Sequence, residues 1–305
     1  MRMMNKIIFG IDIGGTTIKC GYFNESGELV GKDEIPTRKQ DGGSFILADV
    51  ADYIRKKTAD NGLTTADIEG IGIGVPGAVK DDGTVNKCVN LGWGVVNVVD
   101  EMASHIDVPK DRIAAGNDAN MAALGEYWKG GGKGHSSIMM ITIGTGVGGG
   151  LIIGGRPVNG FNGAACEIGH IPMADDFGFA CSCGKSGCLE QVASATGIAR
   201  MGNKNNAKEV FDAAVSGDKE MEEVVEKVSM YLGKALAIAA GIADPECFII
   251  GGGVCNAGEY FLEKIRKYYR QYAFHASRET MIVKALLGND AGMYGAARLI
   301  VKQTQ

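Results

Sequence analysis

The sequence lacks an apolar run long enough to cross a membrane. Its most apolar stretch, Ile138 to Ile153, is interrupted by seven glycine or threonine residues before Ile152, whereas a spanning helix needs about 20 predominantly apolar residues. Positive charge is not in excess either. The 31 Lys and Arg against 36 Asp and Glu leave a net charge of −5, which argues against a protein that binds nucleic acid through its phosphates. Low-complexity tracts and long charge runs are absent, and 45% hydrophobic with 22% charged residues is the composition of a folding chain, not of a disordered one. Met1–Lys6 leads straight into Ile7–Ile8–Phe9 and Asp12, which is no signal-peptide pattern. A cytoplasmic protein without membrane or nucleic-acid partners is therefore expected. The 305 residues correspond to about two domains and bury a full core without staples.

Glycine is abundant: 47 residues, about twice the usual share of ~7%. It is clustered where chemistry would need bare backbone. Gly14–Gly15–Thr16–Thr17 follows a short apolar strand, and Thr142–Ile143–Gly144–Thr145–Gly146 follows another. Such turns let backbone N–H groups approach a phosphate, and the threonines add hydroxyl donors. Asp12 is placed to hold a magnesium ion through water, and Lys19 to offer a cation to phosphate oxygens. No Walker G-x-x-x-x-G-K-[ST] occurs, and the first glycine turn leads into a strand, which fits no dinucleotide fingerprint. Taken singly, each turn reads equally well as a plain tight hairpin. Ile11–Thr16 and Ile141–Gly146 align position for position, however, so two similar halves would each offer a glycine hairpin to a nucleotide. A third cluster, Gly251–Gly252–Gly253, follows the strand Phe248–Ile250 and suits either an adenosine or a glycine-rich helix start.

Alternation and helical spacing predict strands at Lys6–Ile13, Ile18–Phe23, Glu28–Ile35, Ile68–Val75, Arg112–Ala115, Ser137–Ile143, Val147–Ile153, Cys247–Ile250 and Met281–Ala285. Helices are predicted at Phe45–Thr58, Ala119–Trp128, Met221–Gly241, Glu259–Tyr272 and Ala291–Val301, with Asn117 or Asp118 as the cap of the second. Gly130–Gly134 is the best boundary by composition and reads as a hinge.

Cysteine is not scarce, but disulfides are not expected in a reducing compartment. Three of the eight, Cys181, Cys183 and Cys188, fall within eight residues. Three thiolates and one histidine complete a tetrahedral zinc site. Of only four histidines, His170 lies nearest, eleven residues before Cys181. Such a closed site is structural, clipping Gly169–Cys188 into one loop. Three unrelated thiols are the plainer alternative; Cys-x-Cys is not the usual redox spacing. Glu167-x-x-His170 and Cys188-x-Glu190 set two carboxylates beside the metal ligands, where they would accept from the hydroxyls of a polyol while zinc orients His170. Asn117–Asp118, at a strand-to-helix junction, is either a plain helix cap or the place of a general base that takes a proton from a hydroxyl.

These residues resemble the ROK family of repressors and sugar kinases, most closely its bacterial glucokinases. The likeness runs nearly end to end, through Asp12–Thr16, Val75–Gly77, Asn90–Trp93, Asn117–Asn120, Gly144–Gly146, Glu167–His170, Cys181–Glu190 and Gly251–Gly253. It implies an α/β, actin-like (ribonuclease H-like) two-lobed ATPase/sugar-kinase fold with a central cleft. Residues 1–118 would form the N-terminal lobe and 119–305 the C-terminal lobe, the last helix packing back on the first. The expected reaction is ATP-dependent phosphorylation of a hexose at its terminal hydroxyl, glucose to glucose 6-phosphate. N-acetylmannosamine, fructose, mannose or allose are the alternative acceptors, and a sugar-sensing regulator the alternative role. The resemblance makes Asp118 the catalytic base. Asn117, Glu167, His170 and Glu190 would bind sugar hydroxyls, with Gly77 and Asn90 as further contacts. His170, Cys181, Cys183 and Cys188 would bind zinc. A homodimer is the expected assembly. One departure stands out: the family commonly has glycine before the Glu of Glu-x-Gly-His, where this chain has Cys166.

Overall fold

A computed structural model describes residues 5–301. The chain forms two compact units. The first comprises the residues up to Lys133, Gly155–Ala165 and those from Asn289 onward; the second comprises Gly134–Gly154 and Cys166–Gly288. The expected boundary after Asp118 thus shifts, because the helix Asp118–Lys129 belongs to the first unit. No helix among the described residues is long and apolar enough to cross a membrane.

The first unit is built on a five-stranded mixed sheet. Strands β1 (Ile7–Ile13), β2 (Thr17–Phe23) and β3 (Leu29–Pro36) run antiparallel in succession, and β4 (Ile68–Val75) and β5 (Ile113–Asn117) extend the sheet parallel to β1, in the order β3–β2–β1–β4–β5. Side chains alternate across a strand, and the two faces use the alternation differently. Ile7, Phe9, Ile11 and Ile13 of β1 and Ile71, Ile73 and Val75 of β4 join one core with the helices Ile46–Asp60 and Val98–His105. On the opposite face, Ile8 packs with Phe23 and Ala297, and glycines follow at the centre of the sheet. Gly10 sits opposite Gly21 on one side and Gly72 on the other, so a glycine row crosses three strands.

The closing helix, Ala291–Ile300, lies in that row. A Cβ on Gly10 would stand 2.1 Å from the Met293 carbonyl oxygen, and one on Gly72 would stand 1.8 Å from that of Ala296. The same helix crosses Asp118–Lys129 with glycine on both sides, Gly295 against Met121 and Gly125 against Ala291. This contact places the helix that follows Asp118 in the first unit. Much of the glycine excess is therefore packing, since only a residue without Cβ lets backbones approach this closely.

The second unit repeats the motif. Strands β6 (Ser137–Ile143) and β7 (Val147–Ile153) form an antiparallel hairpin, with β8 (Cys247–Gly251) parallel beside β6 and β9 (Met281–Lys284) parallel beside β8. β6 and β7 have the lengths of β1 and β2, with a turn of equal length between them. The helix Lys219–Ala243 is capped by Asp218, whose carboxylate accepts from the Glu220 and Met221 N–H groups. Its Gly233 lets the helix Glu259–Tyr272 approach, a Cβ there meeting the Tyr269 backbone at 2.7 Å. Phe248 of β8 closes on Tyr269 edge-on, with centroids 5.6 Å apart.

Candidate functional site

In the first unit, β5 delivers Asn117 to the start of a helix. Asn117, not Asp118, is the cap: its Oδ1 accepts from the Asn120 N–H at 3.0 Å. Its amide donates to the Gly77 carbonyl at 2.9 Å and to Asp118 Oδ1 at 3.0 Å. The Ala119 N–H also reaches Asp118 Oδ1, at 2.8 Å. Capping by the preceding residue thus leaves Asp118 in the first helical turn with one carboxylate oxygen held by two donors. Gly77, at φ +98°, is tied to the same junction through its carbonyl.

Asp12 ends β1 beneath the closing helix. A Cβ on Gly292 would lie 2.6 Å from its carboxylate carbon. Burial pushes the Asp12 carboxyl up to about 6, Asp118 adding to the rise and Lys19 opposing it. A carboxyl disfavoured by burial and by a second carboxylate is in the electrostatic setting that a divalent cation relieves. Lys19 stands opposite Asp12 in register and donates to the Asn289 carbonyl at 2.8 Å.

The first glycine turn closes with the Gly14 N–H on the Thr17 carbonyl at 3.0 Å, and a Cβ on Gly14 would stand 2.8 Å from that oxygen. Thr37 braces it, donating its hydroxyl to the Gly14 carbonyl at 2.7 Å and its N–H to that of Thr16 at 2.9 Å. Thr16 and Thr17 stay exposed. Gly15 lies beside Asn90, a Cβ there standing 3.7 Å from the Asn90 carbonyl oxygen.

In the second unit, the turn Gly144–Gly146 is closed by the Gly144 N–H on the Gly146 carbonyl at 2.9 Å. Thr145 is exposed and Thr142 half-buried. Gly251 pairs with Thr142 in register. Gly252 has φ +86°, and a Cβ on it would stand 2.3 Å from the Ile143 carbonyl oxygen. Gly251–Gly253 and the second turn therefore share one end of the sheet. Glu190 also reaches this turn, accepting from the Val147 N–H at 2.9 Å. Its spacing from Cys188 gave no sign of that contact.

His170, Cys181, Cys183 and Cys188 gather with all their ligand atoms within 4.8 Å of one another. His170 Nδ1 lies 3.6 Å from Cys181 Sγ, and Cys183 Sγ lies 3.6 Å from Cys188 Sγ. Zn–S bonds of about 2.3 Å span a tetrahedral edge of about 3.8 Å, so an S₃N set at this spacing fits zinc. Nδ1 faces the thiols, which leaves Nε2 for another partner. Burial and the neighbouring thiols push Cys188 up to about 12; a cation is what would let such a group ionise. The loop has a second anchorage, a stack of Phe177 on Phe179 with centroids 5.5 Å apart. Lys227 covers Phe177 at 4.4 Å and Arg200 covers Phe179 at 4.6 Å.

Glu167 is exposed and opens the 3-10 turn Ile168–His170, its carbonyl accepting the His170 N–H at 3.1 Å. Cys166 immediately before it has φ +66°, a left-handed conformation that favours glycine. This is the physical content of the departure from the family's pattern. The expected site residues divide by unit: Asp12, Gly14–Lys19, Gly77, Asn90, Asn117 and Asp118 lie in the first, and Thr142–Gly146, Glu167, His170, the three cysteines, Glu190 and Gly251–Gly253 in the second.

Two sheets, each carrying a glycine hairpin, and a helix-borne aspartate define the actin-like sugar-kinase class. The chain belongs to the ROK family, whose model matches residues 8–303. It is 40% identical to a glucokinase of Halalkalibacterium halodurans, over 99% of this chain and 97% of that protein. Among solved structures it is similar to a ROK hexokinase from Thermus thermophilus, with 32% identity, TM-score 0.83 and coverage of 96% and 97%. It is also similar to a ROK family glucokinase from Streptomyces griseus in complex with glucose and AMPPNP, with 33% identity, TM-score 0.75 and coverage of 96% and 98%.

Proposed function

We propose that this protein is an ATP-dependent hexose kinase that converts glucose to glucose 6-phosphate. The observation that carries it is the joint presence, in a ROK chain, of an aspartate in the first turn of a capped helix and of a Glu-x-Gly-His turn feeding a cluster of four side chains that could hold a metal. Full-length similarity to glucokinases supports glucose as the acceptor.

Phosphoryl transfer asks for alignment and charge stabilisation more than for covalent chemistry. Asp118 accepts the proton of the sugar's terminal hydroxyl as that oxygen attacks the γ-phosphorus, and ADP leaves. The bonds to Asp118 Oδ1 from Asn117 and Ala119 orient its carboxylate for this role. Asn117, Glu167, His170 through Nε2, and Glu190 hold the sugar hydroxyls, with Gly77 and Asn90 as further contacts. Backbone N–H groups of Gly14–Thr17 and Gly144–Gly146 hold phosphate oxygens, Lys19 adds positive charge, and Gly251–Gly253 receive the adenosine. Magnesium, held near Asp12, would neutralise the phosphate charge that develops. Zinc on His170, Cys181, Cys183 and Cys188 would hold the imidazole in place. We also propose a cytoplasmic location, since thiol ligands persist where disulfides do not form, and a homodimer, as the family resemblance implies.

A coupled kinase assay across glucose, N-acetylmannosamine, fructose, mannose and allose tests the reading. Glucose should give the highest kcat/KM. A higher value for another hexose would overturn the acceptor, and no ATP-dependent turnover on any would overturn the activity.

A further inference from the structure

A polar chain runs from the start of the Asp118 helix to the surface of the first unit, and one end of it sets its direction. A carboxylate, as at Asp81, can only accept. Asn159 turns its Nδ2 toward it at 2.9 Å, which leaves Asn159 Oδ1 facing the other way. That oxygen accepts from Asn120 Nδ2 at 3.0 Å. Asn120, 3% exposed, is thereby left with its Oδ1 as the chain's terminal acceptor, a buried atom with no partner among the protein groups. The two ends of an amide differ little in shape, so the hydrogen-bond network assigns them; here the carboxylate decides both amides at once.

Asn120 stands two residues after Asp118, and its backbone N–H is the one that Asn117 caps. Asn117 in turn donates to Asp118 Oδ1. Two links therefore meet at Asn120, one from Asp81 and Asn159 through its side-chain amide and one to Asn117 and Asp118 through its backbone N–H, wholly within the first unit. Gly163 seats the same segment, a Cβ there standing 2.8 Å from the Val79 carbonyl oxygen.

We propose that Asn120 and Asn159 are positioning residues for Asp118: the amide orientations that Asp81 fixes seat Asn120 in the first turn of the helix, and its backbone N–H holds the Asn117 side chain that donates to Asp118. The proposal rests on the kinase reading. It does not depend on which hexose is the acceptor.

The test reverses the polarity. Asn120→Asp puts an acceptor-only group at each end, so that Asn159 cannot satisfy both. The expected result is a kcat lower by about tenfold, the size of one strained or unmade buried hydrogen bond, at near-constant KM for the sugar. The acid limb of the kcat–pH profile should move with it. Adding Asp81→Asn lets Asn159 turn over and every bond re-form in reverse, so the double variant should recover most of kcat. An Asn120→Asp enzyme with wild-type kinetics, or a double variant no better than the single, would overturn the proposal. If Asn120→Asp does not fold, Asn159→Ala decides. It should lower kcat several-fold with little change in KM or Tm, and unchanged kcat overturns the proposal. An inactive wild type would remove the kinase reading and this proposal with it; an active wild type with unresponsive variants overturns this proposal alone.

Discussion

Gly241 and Gly295 both sit inside helices, and intrinsic propensity treats them alike. Replacing either by alanine should gain about 1 kcal/mol on that ground. Their surroundings separate them. A Cβ on Gly241, an exposed position of the helix Lys219–Ala243, meets nothing within 4 Å. A Cβ on Gly295 would stand 1.7 Å from the Met121 carbonyl oxygen, where ordinary contact begins at 3.4 Å. The shortfall of about 1.7 Å falls on backbone, so no side chain can rotate away, and overpacking of this kind costs about 1–3 kcal/mol or more. The cost wins at Gly295, for a net loss of about 2 kcal/mol. For chains of this size, about 2 °C of Tm accompanies each kcal/mol. Gly241→Ala should raise Tm by about 2 °C, and Gly295→Ala should lower it by about 4 °C. Because Gly292 of the same helix abuts Asp12, Gly295→Ala should also lower turnover below its melting range. Differential scanning calorimetry with a kinase assay reads both. Parallel rises in Tm would refute the claim that close helix contact, not turn chemistry, accounts for this glycine.

Asp118→Asn should lose about 10²–10⁴ of kcat while glucose affinity by calorimetry changes only a few-fold; near-normal turnover would remove Asp118 as the base. Stripping zinc with a chelator should weaken glucose binding, because His170 loses its orientation, and unchanged affinity in metal-free protein would break the link between metal and sugar. At position 166, with φ +66°, Cys166→Gly should be more stable than Cys166→Ala by about 1 kcal/mol, since only glycine escapes the left-handed penalty; equal denaturation midpoints would say the backbone is unstrained. Glu226 accepts from Lys264, Lys267 and Tyr268. Partial burial raises its carboxyl, but the bonds from Lys264 and Tyr268 outweigh that and hold it at about 2. Its contribution is full above the ordinary glutamate value of about 4.3 and is lost as pH falls from there toward 2. The Tm gap between wild type and Glu226→Gln should therefore be constant near neutrality and close across that acid window, and a gap that persists at pH 2 would contradict the assignment.

The parts of the fold that short-range pattern controls were legible. The apolar run Ile7–Ile13 and the recurrence of Ile11–Thr16, glycine turn included, at Ile141–Gly146 located both hairpins, and the Asn-Asp pair marked the start of a helix. The spacing Cys-x-Cys-x4-Cys with an upstream histidine named four side chains that do gather. What remained hidden depends on partners distant in sequence. Gly10, Gly21 and Gly72 read as weak spots in strands until a helix near the far end of the chain is seen to fill their row. The same packing moved the helix after Asp118 into the first unit, where no local signal placed it. Val98–His105, Ala195–Met201 and Ala207–Val215 are too short for their periodicity to stand out. Thr37, Asp81 and Asn159 carry no motif, because their roles come from single hydrogen bonds across the tertiary structure.

The closing helix has a consequence for how the protein is made. Its groove in β1 and β4 is complete once Val75 has emerged, but the helix that fills it, Ala291–Ile300, follows more than 200 residues later. At about 5–20 residues per second of synthesis, that sheet face waits roughly 10–45 s for its cover. Until then Ile8 and Phe23, which that helix covers through Ala297, stay open to solvent. Of the two units, the one begun first is thus finished after the other.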